Sequence, residues 1–251
     1  MTNTPHDTVE QLHRSAQSLS NDELPAGWDI VSSSAYARVA GNTELAIFYK
    51  EFLPRSPLET IKAWFRGSRA ERARRNSDAL NFAGFDAPEN LTWGTLANGH
   101  EYLFTRAARG QGVDQWLRLT LAERSAENIR QRWLLVEEFG TFIGRLHATG
   151  FTHGDLRTSN VLTEFRSGRF YFTLIDNERN HCAAPAPGKL VLKNLMQLNM
   201  MASIDLSRNE RIRFFGSWRR QMRQLSKTES KIIAGDAYLW ARRRLTAKGI
   251  P

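Results

Sequence analysis

A polar loop in the second half of the chain carries the side chains best suited to chemistry. It reads His153-Gly-Asp155-Leu-Arg157-Thr-Ser-Asn160, and a second aspartate, Asp176, follows further along. The carboxylate of Asp155 can orient and deprotonate an alcohol, and the cation of Arg157 can stabilise a phosphoryl group in transfer. Asn160 and Asp176 supply the hard oxygen donors that Mg²⁺ prefers. These residue types at this spacing predict phosphoryl transfer to a hydroxyl group.

The elements that flank this loop can be read from the apolar residues around it. Apolar residues within 132–149 recur on one helical face, and a glycine ends the pattern. The segments 161–165 and 170–175 read as two short strands joined by a Ser-Gly turn. A buried helix therefore leads into the loop, and a hairpin leads to the second aspartate. The alternative is a polar loop whose aspartate caps a neighbouring helix.

The first half of the chain reads as strands with one or two helices. The segments 28–39 and 44–53 are strand-like, and the second contains a near-continuous apolar run that ends at Lys50. A lysine that closes a buried strand is costly unless it is paired or meets phosphate, which makes Lys50 a candidate phosphate ligand. The alternative is a lysine on an edge strand that points to solvent. Further on, Ser68-Arg-Ala-Glu71 opens a helix with a capping-box pattern.

The order of these elements predicts an α+β fold with two unequal lobes. Residues 1–26 are polar and are interpreted as a flexible N-terminal tail. Residues 27–107 form the smaller lobe, with antiparallel strands and a helix. Residues 108–251 form the larger and mainly helical lobe.

The loop and the second aspartate resemble the catalytic loop and the metal-binding segment of the protein-kinase superfamily. His-Gly-Asp155, in place of His-Arg-Asp, resembles the small-molecule and atypical branches. The resemblance implies a bilobal protein-kinase-like fold that uses ATP and Mg²⁺. It further implies that Asp155 is the catalytic base, that Asn160 and Asp176 hold the metal, and that Arg157 contacts the transferred phosphate.

The same resemblance assigns the N-terminal lobe to nucleotide binding and the C-terminal lobe to catalysis and substrate binding. Lys50 would be the nucleotide-binding lysine, and Glu71 is the candidate for the helical glutamate that pairs with it. The capping-box position of Glu71 offers another role, which is to satisfy backbone N–H groups. Two features depart from the pattern: the segment 32–41 has no Gly-x-Gly-x-x-Gly, and Asp176 is not followed by Phe-Gly.

Several further segments are similar to the lipopolysaccharide kinase (Kdo/WaaP) family, over roughly residues 28–225. They are Tyr49-Lys50-Glu-Phe, Phe65-Arg66-Gly-Ser68-Arg69-Ala70, Leu80…Gly84-Phe-Asp-Ala-Pro88, Ile175-Asp176-x-Glu178-Arg179 and Lys193-Asn-Leu-Met-Gln-Leu198. The resemblance implies ATP-dependent phosphorylation of a heptose or Kdo hydroxyl in the inner core of lipopolysaccharide. One departure is that the family often places its helical glutamate near the position of Ala73.

The charge of the chain favours an anionic partner. The formal net charge is +9 and the sequence pI is about 10.1, which suits an anionic glycolipid in an anionic membrane leaflet. A general preference for arginine is the alternative. No nucleic-acid-binding motif accompanies the charge, so a nucleic-acid partner is not expected. The candidate contacts are Arg66, Arg69, Arg72, Arg74, Arg75, Arg208, Arg211, Arg213, Arg219, Arg220 and Arg223.

The remaining features predict a cytoplasmic protein. Cys182 is the single cysteine, so no internal disulfide can form. The first residues lack the apolar core of a signal peptide, and no apolar run is long enough to span a bilayer. A membrane contact, if there is one, would be peripheral, at the cytoplasmic face of the inner membrane.

Two other functions fit parts of the same pattern. A kinase that acts on another small molecule or on a protein would use the same His-Gly-Asp loop, as choline and aminoglycoside kinases do. A pseudokinase-like binding protein would keep the fold without the chemistry. The presence of Lys50, Asp155, Asn160 and Asp176 argues against the pseudokinase, because a degenerate site usually lacks at least one of these groups.

Overall fold

The computed structural model describes residues 5–54, 67–186 and 188–250. The chain divides into two compact units, residues 1–108 and 109–251. A sheet dominates the first unit and helices dominate the second, which confirms the predicted α+β class. Within the described ranges, no helix has both the length and the hydropathy needed to cross a membrane.

The first unit is built on a five-stranded antiparallel sheet with the strand order β1-β2-β3-β5-β4. Its elements are α1 (Pro5–Ser20), β1 (Trp28–Ser34), β2 (Ala37–Asn42), β3 (Ile47–Phe52), α2 (Arg69–Phe82), β4 (Asn90–Thr95) and β5 (Glu101–Arg106). The segment 28–39, predicted as one strand, is a hairpin because Ser34 Oγ accepts the N–H groups of Tyr36 and Ala37 and turns the chain.

The N-terminal segment is not the flexible tail that its polar composition suggested. Helix α1 buries Leu12, Ala16 and Leu19, which recur on one helical face and join the core formed by Tyr49 and Phe104. The polar residues of α1 lie on its other face. The average composition of the segment is therefore polar and does not reveal the apolar face. Helix α1 is therefore part of the first unit.

A buried carboxylate on β3 ties the end of α1 to the sheet. Glu51 is almost fully buried, and its carboxylate bonds the hydroxyl groups of Tyr49 and Ser20 and the Nδ1 atom of His100. The guanidinium of Arg38 lies 3.5 Å from Glu51 and donates to the carbonyls that end α1. Each polar group that α1 buries there has a partner, as burial requires.

Helix α2 packs with Phe52 and Leu103 in a second core cluster. Its first N–H groups are satisfied from two directions. Ser68 Oγ accepts the N–H of Glu71 at 3.1 Å, and the carboxylate of Glu101 on β5 accepts the N–H of Arg69 at 3.0 Å. A sheet residue therefore fixes where α2 begins.

Long helices and short strands make up the second unit. Its elements are β6 (Gln111–Gly112), α3 (Val113–Gln115), a π turn (Trp116–Thr120), α4 (Ala126–Ala148), β7 (Phe151–Thr152), a 3-10 turn (Thr158–Asn160), β8 (Val161–Arg166), β9 (Arg169–Leu174), a second 3-10 turn (Asn177–Arg179), β10 (His181–Cys182), α5 (Gly188–Leu198), α6 (Arg208–Gln221) and α7 (Lys227–Thr246). Helix α4 is the predicted amphipathic helix, and its buried side chains include Leu135, Phe139 and Ile143.

Helices α4 and α6 approach closely because α4 carries glycine at the contact. A β-carbon at Gly140 would lie 2.2 Å from the carbonyl oxygen of Phe214, and one at Gly144 would lie 2.7 Å from that of Trp218. Any larger residue would push α6 away. The close packing of α4 on α6 thus fixes the position of the C-terminal end of α4, which the polar loop follows.

Two of the predicted surface arginines bind backbone carbonyl oxygens within the fold; Arg69 is buried and Arg211 is half-buried. Arg69 is 5% exposed and donates to the carbonyl oxygens of Tyr36 and Leu53. Arg211 donates to the carbonyl oxygens of Asn199 and Met201. Both guanidinium groups donate to backbone carbonyl oxygens within their own unit, so the prediction that they are surface contacts for an anionic partner is wrong. Arg66 lies outside the described residues.

Candidate active site

His153 joins the polar loop to the segment that carries the second aspartate. Its Nδ1 atom accepts the N–H of Asp155 at 3.1 Å, so Nε2 carries the ring proton and donates it to the carbonyl oxygen of Ile175 at 3.0 Å. Burial lowers the pKa of the His153 imidazole, which keeps the ring in this neutral form. One imidazole therefore links the backbone at the two predicted acidic residues.

A second set of bonds adds Asn160 to the same place. The N–H of Ile175 donates to the carbonyl oxygen of Asn160 at 3.1 Å, and Asn160 Nδ2 donates to the carbonyl oxygen of Asp155 at 2.8 Å. Asp176 follows Ile175 directly. The structure thus brings Asp155, Asn160 and Asp176 together, although they come from a loop, a 3-10 turn and the end of a strand.

The carboxylate of Asp155 is held on one oxygen. Gln197 Nε2 on α5 donates to Oδ1 at 2.6 Å, and Arg157 Nε lies 3.1 Å from the same oxygen. The Asp155 side chain is 31% exposed and that of Arg157 is 67% exposed, so their ion pair contributes little to stability. Both contacts use Oδ1 of Asp155, so Oδ2 is available to accept a proton from a bound alcohol.

Side chains of helix α5 bind the backbone of the polar loop. Lys193 Nζ donates to the carbonyl oxygen of Gly154 at 2.9 Å. Asn194 bonds both the N–H and the carbonyl oxygen of His153. Sequence reasoning used this segment only as part of a family resemblance and missed its role. The signal was present as Lys193, Asn194 and Gln197, whose spacing places polar side chains on one face of an otherwise apolar helix.

Behind the loop lies a buried polar network that continues from α5 to α6. Trp218 Nε1 donates to Nδ1 of His147 at 3.0 Å, so Nε2 of His147 carries the proton and faces Asn194 Oδ1 at 3.3 Å. Complete burial lowers the pKa of His147 to about 4. Neutral His147, at the end of α4, thus orients Asn194, whose side chain binds the backbone of the polar loop.

A close contact with another segment explains why residue 154 is a glycine. A β-carbon there would lie 2.1 Å from Cβ of Arg179 and 2.7 Å from its carbonyl oxygen. The N–H of Gly154 also donates to Asn180 Oδ1 at 3.2 Å. The turn after Asp176 therefore packs directly on the loop, and the arginine found in His-Arg-Asp loops would not fit here.

The donor set fits a magnesium ion. Asn160 uses Nδ2 within the loop, which leaves its Oδ1 without a protein partner among the residues described. Asp176 is exposed, with a left-handed backbone of φ 61° and ψ 50° at the start of the second 3-10 turn. Both are hard oxygen donors. No cluster of three His, Cys, Asp or Glu side chains occurs in the described ranges, so the remaining ligands would be phosphate oxygens and water.

Lys50 and Glu71 belong to the first unit. Lys50 lies opposite Leu103 in the sheet, half-buried, with Nζ 5.3 Å from the centre of the Phe52 ring. Glu71 is exposed in the first turn of α2 and makes no ion pair with any described residue. The suggested ion pair between Lys50 and Glu71 is therefore absent. A carboxylate in the first turn instead stabilises the helix through its dipole.

Solved structures share this fold. WaaP in complex with acyl carrier protein is 17% identical, with a TM-score of 0.60 over 87% of this chain and 88% of that chain. An aminoglycoside-3'-phosphotransferase of type VIII is 14% identical, with a TM-score of 0.52 over 95% and 100%. The aminoglycoside phosphotransferase APH(3'')-Id from Streptomyces rimosus is 15% identical, with a TM-score of 0.51 over 92% and 98%. The predicted protein-kinase-like fold is confirmed.

The sequence assigns the chain to one family within the class of protein-kinase-like folds. The model of the lipopolysaccharide kinase (Kdo/WaaP) family matches residues 60–218, which span α2, the polar loop, Asp176 and α5. The chain belongs to this family, and it is a phosphotransferase with a hydroxyl acceptor. No individual curated protein sequence matches it significantly.

Gln197 positions the candidate base, and its removal should slow the reaction. We expect Gln197→Leu to lower kcat by about 10- to 100-fold, because a hydrogen bond to a charged group contributes about 1.5–3 kcal/mol. Gln197→Glu keeps an acceptor for the N–H of Leu156 and should lose as much, because it cannot donate to Asp155. Steady-state kinetics would measure kcat and the KM for ATP, and the KM should stay within about twofold.

A matched control lies on α4. Gln131 is half-buried and has no side-chain hydrogen bond within the described part of the chain, so Gln131→Leu should leave kcat unchanged. Equal kcat values for the Gln197 and Gln131 variants would show that Gln197 does not position Asp155.

Proposed function

We propose that this protein transfers the γ-phosphoryl group of ATP, with Mg²⁺, to a heptose or Kdo hydroxyl in the inner core of lipopolysaccharide. The observation that carries the proposal is the family match over residues 60–218, because the matched region contains the linked group Asp155, Asn160 and Asp176. A pseudokinase would have no need to keep all three.

The geometry of the second unit supports a role for each of these residues. Asp155 accepts the proton of the sugar hydroxyl on its half-buried carboxylate. The hydroxyl oxygen then bonds to the γ-phosphorus, and the bond from that phosphorus to ADP breaks. Arg157, whose guanidinium is mostly exposed, stabilises the charge on the transferred group. Asn160 and Asp176 would hold the magnesium ion, which neutralises phosphate charge when it is bound.

Lys50 is proposed to bind the phosphates of ATP. It is a half-buried cation on a central strand of the first unit, and a cation in that environment is stabilised by an anion. Glu71 is not part of this proposal, since it lies at the exposed start of α2.

The acceptor and ATP also suggest where the reaction takes place. ATP is available on the cytoplasmic side, and an acceptor in the inner membrane would require a peripheral contact with its cytoplasmic face. The net charge of +9 supports such a contact, because each basic side chain near an anionic leaflet contributes about 1 kcal/mol.

The test uses the purified protein, radiolabelled ATP and a panel of acceptors. Core oligosaccharide from a strain that lacks the gene should gain one phosphate on a heptose or Kdo residue, as located by mass spectrometry. Aminoglycosides, choline and a generic protein substrate should gain none. Label on one of these acceptors instead would replace the lipopolysaccharide assignment, and no label on any acceptor would favour the pseudokinase.

A further inference from the structure

A pocket of about 240 Å³ opens beside Asp155 and lies entirely in the second unit. Its walls come from α3 and the π turn, the polar loop, α5, and the end of α7. The charged side chains in its lining are Asp114, Arg118, Asp155, Arg157, Arg244 and Lys248. Four of the six are basic, although the pocket also contains the candidate base.

Two of these basic side chains have no partner among the residues that the structure describes. Arg118 pairs with Asp205 at 2.8 Å, and Arg157 pairs with Asp155. Arg244 and Lys248, by contrast, are exposed and make no side-chain hydrogen bond or ion pair with the described residues.

The backbone that carries these two cations is held in place. Leu245, between them in sequence, is 2% exposed and also lines the pocket, and Ala241 is 1% exposed one turn earlier. The last turn of α7 is therefore packed against the second unit. Two cations that have no partner among the described residues, on a segment whose backbone is packed, form a favourable site for an anion.

The pocket lining also includes a carboxylate with an oxygen that has no partner among the described residues. Oδ1 of Asp114 is buried and has no hydrogen-bond partner in the part of the chain that is described. Asp114 lies just before the π turn Trp116–Thr120, and π turns are frequent at functional sites. Asp114 is only half-buried and its side chain lines the pocket, so the other oxygen of the carboxylate can accept a hydrogen bond from a ligand, such as the hydroxyl of a sugar.

We propose that this pocket binds a sugar acceptor that carries a carboxylate or phosphate, with Arg244 and Lys248 on the anion and Asp114 on a hydroxyl. The inference rests on the proposed function, because Asp155 in the same pocket would act on another hydroxyl of the same acceptor. It adds the acceptor's charge and the residues at the end of α7 that recognise it. A neutral sugar would fill the pocket without contacting Arg244 or Lys248 through a charge.

The first experiment measures binding without ATP, so that it does not depend on phosphoryl transfer. Isothermal titration would use the methyl glycoside of Kdo, its carboxyl methyl ester, a heptose monophosphate and the free heptose. The wild-type protein should bind at least one anionic probe. It should bind the neutral counterpart of that probe about tenfold or more weakly. Preference for the Kdo pair identifies a carboxylate, and preference for the heptose pair identifies a phosphate. Equal binding of each anionic probe and its neutral counterpart, or no binding, would overturn the proposal.

The second experiment removes the cations. The double variant Arg244→Glu/Lys248→Glu should weaken binding of the anionic probe by about 100-fold and leave the Kd for a fluorescent ATP analogue unchanged. Arg243→Glu is the matched control, because Arg243 is an exposed arginine in the same turn that does not line the pocket. If the double variant does not fold, Lys248→Gln beyond the helix end should still weaken binding several-fold.

These results separate the two proposals. Binding of an anionic probe that depends on Arg244 and Lys248, without phosphoryl transfer to any core acceptor, would keep the pocket assignment and reject the kinase proposal. Transfer to core oligosaccharide with equal acceptor affinity in the double variant and the Arg243→Glu control would reject the pocket assignment alone.

Discussion

Asp155→Asn should lower kcat by about 10²- to 10⁴-fold and leave the Kd for ATP unchanged. Asparagine has the same shape as aspartate, and its side-chain oxygen can still accept the Nε2–H of Gln197. The loop is held by bonds to the backbone at His153 and Gly154, which this change does not touch. What is lost is the basic oxygen that takes the proton of the acceptor hydroxyl.

The measurement is single-turnover phosphoryl transfer with saturating ATP and core oligosaccharide, together with equilibrium binding of a fluorescent ATP analogue. Asp236→Asn supplies the same chemical change at an exposed position of α7 and should behave as wild type. If Asp155→Asn kept more than about a tenth of the wild-type rate, Asp155 would not be the base, since general base catalysis contributes at least about 100-fold.

Asp176→Asn should remove metal binding together with activity. The backbone of Asp176 is left-handed, and asparagine tolerates this conformation as well as aspartate does. The substitution therefore preserves the turn and removes only the charge of a metal ligand. Loss of metal stabilisation worth several kcal/mol should reduce kcat by at least about 100-fold.

A second readout does not depend on turnover. ATP with Mg²⁺ should raise the Tm of the wild-type protein more than ATP with EDTA, because a ligand that binds the folded state stabilises it. In Asp176→Asn the two conditions should give the same Tm. Asp22→Asn is the control, since Asp22 is an exposed aspartate that also has a left-handed backbone. A full Mg²⁺-dependent shift in the Asp176 variant would exclude this residue as a metal ligand.

The catalytic segment could be predicted from sequence because its information is local. Asp155, Arg157 and Asn160 lie within one loop, and the hairpin that leads to Asp176 is a short-range element. The periodicity of α4 and the capping residue Ser68 are local signals as well, and the structure contains both. Such features depend on neighbours along the chain, so residue type and spacing are sufficient to predict them.

Burial depends on partners that are distant in sequence, and here the predictions were weakest. Leu12, Ala16 and Leu19 form an apolar stripe within a polar segment, and only the sheet core that receives them turns a predicted tail into a packed helix. Arg69 has the charge of a surface residue, yet two backbone carbonyls bind its guanidinium inside the first unit. Composition cannot reveal such partners.

By itself, the sequence determined the class of chemistry, since an aspartate, an arginine, an asparagine and a second aspartate at this spacing suit one type of reaction. The tertiary structure decided what surrounds these groups. It brought Gln197 to the carboxylate of Asp155 and placed Arg244 and Lys248 in the wall of the same pocket. The physical reason is that hydrogen bonds and ion pairs act over a few ångströms of space, whatever the separation along the chain.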